Sequence, residues 1–130
     1  MKIMVCYTGS PSSRCALKLA IEHAKRFNGT IDLVASMEKA TARDQEEVNK
    51  IEAEHQQAAE KVRKEGVECR THLLVRGLTP DEDLVNYAKE LSADEIVLGI
   101  RKRSQVDKLI FGSTARYVIL HAHCPVVTVK

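Results

Sequence analysis

Ile96-Val97-Leu98-Gly99, followed by Arg101-Lys102-Arg103 and then by Gly112-Ser113-Thr114, is the stretch from which the fold can be read. A short apolar run that stops at a glycine reads as a buried strand, and Ala115, Val118 and Ile119 place a helical pattern after Thr114. Glycine lets an anion approach the backbone closely, and a helix start presents unpaired N–H groups with the positive end of the helix dipole behind them. The three cations add charge of the matching sign. This layout is a candidate phosphate cradle, and it is equally the layout of a solvated loop joining a strand to a helix; the rest of the chain has to decide.

Working outward, Ile3 to Tyr7 is a β-prone run that stops at Thr8-Gly9, and Ser10-Pro11 supplies a cap residue and a proline at the first helical position. Ala16, Leu17, Ala20, Ile21, Ala24 and Phe27 recur at helical spacing, and Asn28-Gly29 closes that helix as a left-handed cap. Ile31, Leu33, Val34 and Ala35 give a second strand. From Ala40 to Glu65 only Val48, Ile51, Ala58, Ala59 and Val62 form a narrow apolar stripe, which predicts a long helix with one wet face; Lys39 to Gln45 fits either its first part or a loop. His72 to Val75 reads as the third strand. Thr79-Pro80-Asp81-Glu82 then combines a cap, a first-position proline and a glutamate three residues after the cap, with Leu84, Val85, Ala88 and Leu91 as the buried face. Val126 to Val129 is the fifth strand.

Strands alternating with helices of this length call for an α/β fold, an open, doubly wound, five-stranded parallel sheet with helices on both faces. Ligands of such sheets gather at the carboxyl ends of the strands, where the winding reverses. If the first and fourth strands are neighbours, Thr8-Gly9 and Gly99 converge on one crevice. A chain of 130 residues is expected to form a single domain spanning 1–130. Net charge +2 and scarce aromatics argue against a nucleic-acid partner. No apolar run has signal-peptide or membrane-spanning length, so a cytoplasmic protein without membrane association is expected. Cys6, Cys15, Cys69 and Cys124 show no C-x-x-C pair and read as reduced, mostly buried thiols. His121 and His123, near a helix end, fit capping better than metal ligation, and no metal is expected from the protein's own residues.

The spacing Gly99, two residues, Lys102, nine residues, Gly112-Ser113 resembles the G-x2-G-x9-G-[ST] nucleotide-binding signature of the universal stress protein family, with Lys102 in the place of the second glycine. Gly9-Ser10 after the first strand, Ala93-Asp94-Glu95-Ile96-Val97-Leu98-Gly99, and Cys124-Pro125-Val126-Val127 also resemble recurrent segments of that family, so the resemblance covers nearly the whole chain. It implies a Rossmann-like domain of strand order 3-2-1-4-5, related to the adenine nucleotide alpha hydrolases, that binds an adenine nucleotide and dimerises through its last strand, Val126 to Val129. Carried over by matching position, Gly99, Arg101, Lys102, Gly112, Ser113 and Thr114 surround the phosphates and Leu98 lies near the ribose. Cys6, Thr8 and Met37 face the adenine side.

Two positions depart from the pattern. ATP-binding members usually carry aspartate where this chain has Thr8, which can hydrogen-bond but brings no charge. Lys102 either obstructs the close approach that glycine allows or attracts phosphate through its ammonium. The reading is therefore a cytoplasmic stress-response protein that binds ATP or AMP, with Mg2+ only alongside the nucleotide, and without efficient turnover. A dimeric interaction module that binds no nucleotide, and a slow ATPase, are the alternatives. Phosphoryl transfer wants positioned metal ligands and a residue orienting water, and the sequence names neither. Ser10, Ser12 and Ser13 lack the glycine pair and the aspartate of the Ser-Gly-Gly-x-Asp-Ser loop of ATP pyrophosphatases, and read as helix caps.

Overall fold

The computed structural model describes residues 1–101 and 111–130. In chain order the elements are β1 (Lys2–Cys6), α1 (Pro11–Phe27), β2 (Thr30–Met37), a 3-10 turn (Ala42–Asp44), α2 (Gln45–Lys64), β3 (Cys69–Val75), α3 (Pro80–Glu90), β4 (Glu95–Gly99), α4 (Ser113–His121) and β5 (Val126–Val129). All strand pairings are parallel and the order is β3-β2-β1-β4-β5, as the family resemblance implied. The helix boundaries follow the capping chemistry. Ser10 accepts from Ser13 N at 3.2 Å with Pro11 in the first turn, Asn28 closes α1 at φ 52°, and Thr79 accepts from Glu82 N at 3.5 Å ahead of Pro80.

Alternation along the central strands sends side chains into two separate cores. Ile3, Val5, Tyr7, Ile31, Leu33 and Val97 pack under α1 and α2, against Ala16, Leu17, Ala20, Ala59 and Val62. On the other face Met4, Val34, Ile96 and Leu98 pack under α3 and α4, against Leu84, Val85, Ala88 and Val118. β1, buried on both sides, is the axis of the sheet.

Several sequence expectations are corrected. Phe27 is 60% exposed: it lies at the end of α1, past the last buried turn, and packs edge-on against His23. In α4 only Val118 is buried, while Ile119 is 40% and Leu120 70% exposed. β3 starts at Cys69, three residues earlier than predicted, because an edge strand pairs through its backbone and tolerates the polar Arg70 and Thr71. Of the open alternatives for Lys39 to Gln45, a loop with a 3-10 turn holds, Thr41 N donating to Asp44 Oδ2 at 2.8 Å; α2 begins only at Gln45. Cys15 is exposed rather than buried. No helix among the described residues is long and apolar enough to cross a membrane.

Two buried carboxylates tie β2, β3 and α3 together. Asp83 accepts from Ser36 Oγ at 2.7 Å and from Arg76 Nε at 2.7 Å, and Arg76 also reaches Glu90 at 2.8 Å and stacks 5.2 Å over the Tyr87 ring. Asp32 accepts from His72 Nε2 at 2.8 Å, which leaves His72 Nδ1 to accept from the Tyr87 hydroxyl at 3.0 Å. The guanidinium of Arg70 lies 3.2 Å from the same Asp32 oxygen, and the other, Oδ2, has no protein partner among the described residues. Removing one member of such a group strands the others in low dielectric. Asp83→Ala is expected to lower unfolding free energy by about 3 kcal/mol, read from urea midpoints; a loss within error of zero would show that Arg76 and Ser36 are satisfied without it.

Candidate functional site

Gly99 is a glycine for reasons of space. A Cβ there would overlap the main-chain carbonyl of Ser12, so the end of β4 lies directly against the first turn of α1. The expected convergence of the first and fourth strand ends is present. Tyr7 N donates to Val34 O at 3.0 Å, carrying the pairing one residue past β1, and the chain then turns through the exposed Thr8 to Gly9 at φ +89°. Only glycine adopts that φ without strain. The α1 side of the crevice is thus built from main chain.

The other wall is the start of α4. Gly112 precedes the helix with φ −62° and ψ 163°; among the described residues no side chain caps the first turn, and a Cβ on Gly112 would meet nothing within 4 Å. Gly112 is therefore not required by contacts with the described residues, and the first turn starts with N–H groups that have no partner inside the helix. Ser113 is exposed, whereas Thr114 donates its hydroxyl to Asp81 Oδ1 at 2.8 Å. Arg101 is exposed at the end of the described part of the loop, and Lys102 lies outside the described residues.

Of the four residues expected on the adenine and ribose side, Thr8 is the exposed turn residue, and the other three are placed unequally. Leu98 is buried in the α3/α4 core, so only its main chain is available to a ligand. Cys6 belongs to that same face, and desolvation pushes its thiol up to about 12, which keeps it neutral. Met37, the last residue of β2, falls by alternation on the face of Ile31 and Leu33 instead. Cys6 and Met37 therefore reach the strand ends from opposite sides of the sheet. Among the described residues no three His, Cys, Asp or Glu side chains group as a metal site; His121 Nδ1 bonds Tyr117 O at 3.0 Å and His123 Nε2 bonds Ala93 O at 3.1 Å.

Sequence reasoning passed over His55 and Glu54. His55 is buried, donates Nε2–H to Tyr7 O at 2.8 Å, and so pins α2 to the chain just before Thr8. Its position four residues after Ile51 and three before Ala58 is the signal that could have found it. Glu54 lies over Gly9, where a Cβ would come within 2.6 Å of its carboxyl carbon, and pairs with Arg14 at 3.5 Å. An open groove of about 840 Å³ continues between α1 and α2 over Leu17, Ile21 and Ala58. Its rims alternate in charge, with Lys25–Glu65 at 2.7 Å beside Arg14–Glu54, and it holds none of the expected site residues.

The sequence profile of the universal stress protein family matches residues 1–130. A universal stress protein of Methanocaldococcus jannaschii is 32% identical, with 99% of this chain and 81% of that protein aligned, and one of Mycolicibacterium smegmatis is 31% identical over 98% and 96%. Among solved structures, a universal stress protein of Archaeoglobus fulgidus superposes with TM-score 0.88 at 38% identity, covering all of this chain and 93% of that one. A second Archaeoglobus fulgidus structure, in complex with dAMP, gives TM-score 0.83 at 33% identity over 99% of this chain and 96% of that one.

Burial holds the His55 pKa below its ordinary value, opposed in part by the bond to Tyr7. As pH falls below about 6.5 the unfolded chain takes up a proton that folded His55 refuses, so stability drops until the folded pKa is passed. His55→Gln should flatten the fall of the urea midpoint between neutral and mildly acidic pH; identical curves would remove His55 as its source. Gly99→Ala should cost about 2 kcal/mol or more through the clash with Ser12, measured the same way.

Proposed function

This chain belongs to the universal stress protein family, and from that premise we propose that it is a cytoplasmic stress-response protein that binds an adenine nucleotide, ATP or AMP, across the carboxyl ends of β1 and β4. The observation that carries the reading is the first turn of α4 behind Gly112, which no side chain among the described residues caps and whose front no described residue fills. In this arrangement the phosphate takes the N–H groups of Ser113 and Thr114 and the Ser113 hydroxyl, Arg101 and Lys102 supply positive charge, and Gly99, packed on Ser12, holds the end of β4 against the first turn of α1. Thr8 and Met37 flank the base, and the main chain of Leu98 and the neutral Cys6 complete the lining. Binding of dAMP by the Archaeoglobus fulgidus relative, 33% identical along nearly its whole length, supports the choice of adenine. Mg2+ enters only with the nucleotide. The nucleotide is bound without efficient turnover, because phosphoryl transfer needs a residue that orients the attacking water and the sequence names none.

The same reading includes a homodimer. Among the described residues β5 is an edge strand paired on one side alone, with Val126, Val127 and Val129 only partly covered, and pairing it with its copy across a two-fold axis would satisfy that edge. Sedimentation should show a dimer at tens of micromolar, and a monomer there overturns it. For the nucleotide, isothermal titration with ATP, ADP, AMP and cyclic AMP is expected to give saturable heat; none at millimolar nucleotide, with and without Mg2+, removes the reading in favour of an interaction module.

A further inference from the structure

α1 and α2 cover the same face of the sheet, away from α3 and α4, and leave a slot of about 840 Å³ between them. Its lining runs from Arg14 to Lys25 along α1 and from Glu54 to Glu65 along α2, a length of about 16 Å at the rise of a helix. An ion pair bridges the two helices at each end, Arg14 to Glu54 at 3.5 Å and Lys25 to Glu65 at 2.7 Å. Between those bridges Leu17, Ile21 and Ala58 form an apolar floor. A slot crossed at both ends suits a slender molecule of limited length, not a partner helix of about 10 Å diameter.

One polar group in the slot has a proton to give and nothing to receive it. Tyr7, the residue after β1, is 4% exposed and lines the end that holds Arg14 and Glu54. Burial pushes its hydroxyl up, so the group is protonated at neutral pH. Among the described residues the one hydrogen bond that Tyr7 donates comes from its main-chain N, to Val34 O. Arg14, whose guanidinium acts against the shift, can only donate. An unanswered O–H beside a cation asks for an anionic acceptor, and the floor next to it takes an apolar chain.

We propose that the slot between α1 and α2 binds an unbranched carboxylate amphiphile, with its head on Tyr7 and Arg14 and its chain laid over Leu17, Ile21 and Ala58 toward the Lys25–Glu65 pair. Glu54 is the group that opposes an anion at that end. Its charge is already met by Arg14, and the fork of a guanidinium has donors for two carboxylates. The slot shares no residue with the nucleotide site described above, so the two assignments stand or fall separately.

Decanoate is the probe, and Cys15, an exposed thiol on the rim, is the reporter. Calorimetric titration is expected to give saturable heat with decanoate, and none with acetate, which lacks the chain, or with decyltrimethylammonium, which carries the opposite charge. Bound decanoate should slow alkylation of Cys15 by iodoacetamide, followed peptide by peptide in a mass spectrometer. Tyr7→Phe keeps the ring and the main-chain bonds, and Arg14→Gln changes an exposed position; each should weaken decanoate about ten-fold, as the loss of a hydrogen bond to a charged group does. Should Tyr7→Phe fail to fold, Arg14→Gln carries the test. An unchanged Cys15 rate, equal binding of decyltrimethylammonium, or an affinity that neither substitution moves overturns the assignment.

Discussion

Where β4 ends, the main chain of Gly99 touches the main chain of Ser12, and no side chain intervenes. The crevice at the strand ends depends on that contact. It presses the first turn of α1 against β4, while β1 is already paired to β4 through Ile3, Met4 and Val5, so the point at which the winding reverses is fixed by backbone on backbone. A side chain at 99 would push the two apart. Gly9 adds a second backbone constraint on the same wall, and Tyr7, held by Val34 on one side and by His55 on the other, delivers the chain to it. The opposite wall, by contrast, meets no described residue at Gly112, and α4 is joined to α3 by apolar packing around Val118 and by the bond from Thr114 to Asp81.

Away from the crevice, the outer half of the sheet is held by charge. Asp32 and Asp83 both leave β2 or α3 for interior positions, and each is met by an arginine from β3 or its following loop. The apolar contacts of β3 are few, since Arg70 and Thr71 are exposed and His72 and Leu73 only half-buried. Hydrogen-bonded ion pairs therefore take over the fastening that valine and isoleucine perform around β1. Such groups are sensitive to the loss of a single partner in a way that an aliphatic core is not.

Much of this was legible in the sequence where one residue carries one physical constraint. Pro11 and Pro80 start helices, Asn28 ends one, and the β-branched runs of β1, β4 and β5 are strands because parallel strands are covered on both faces. The order of strands came from resemblance, since periodicity says nothing of which strands are neighbours. Phe27 obeyed the helical period but fell beyond the last buried turn, a limit that lies in the length of the sheet and not in the helix. The first residues of β3 were hidden because an edge strand draws its stability from backbone pairing. Gly99, Ser113 and Thr8 were readable as residues at loop boundaries, while the bond between Asp81 and Thr114, the split of Cys6 and Met37 between faces, and the reach of His55 depend on tertiary placement that no spacing encodes.

A central β1 has a consequence for how the chain is made. Its hydrogen bonds run to β2 on one side and to β4 on the other, and its first residue, Lys2, is bonded to Asp94, 92 residues later. A nascent polypeptide leaving the ribosome can assemble β1, β2 and β3 with their helices early, but it then carries its most apolar strand as a bare border until β4 emerges. Late arrival of that single partner makes the interval a window for mispairing between neighbouring chains.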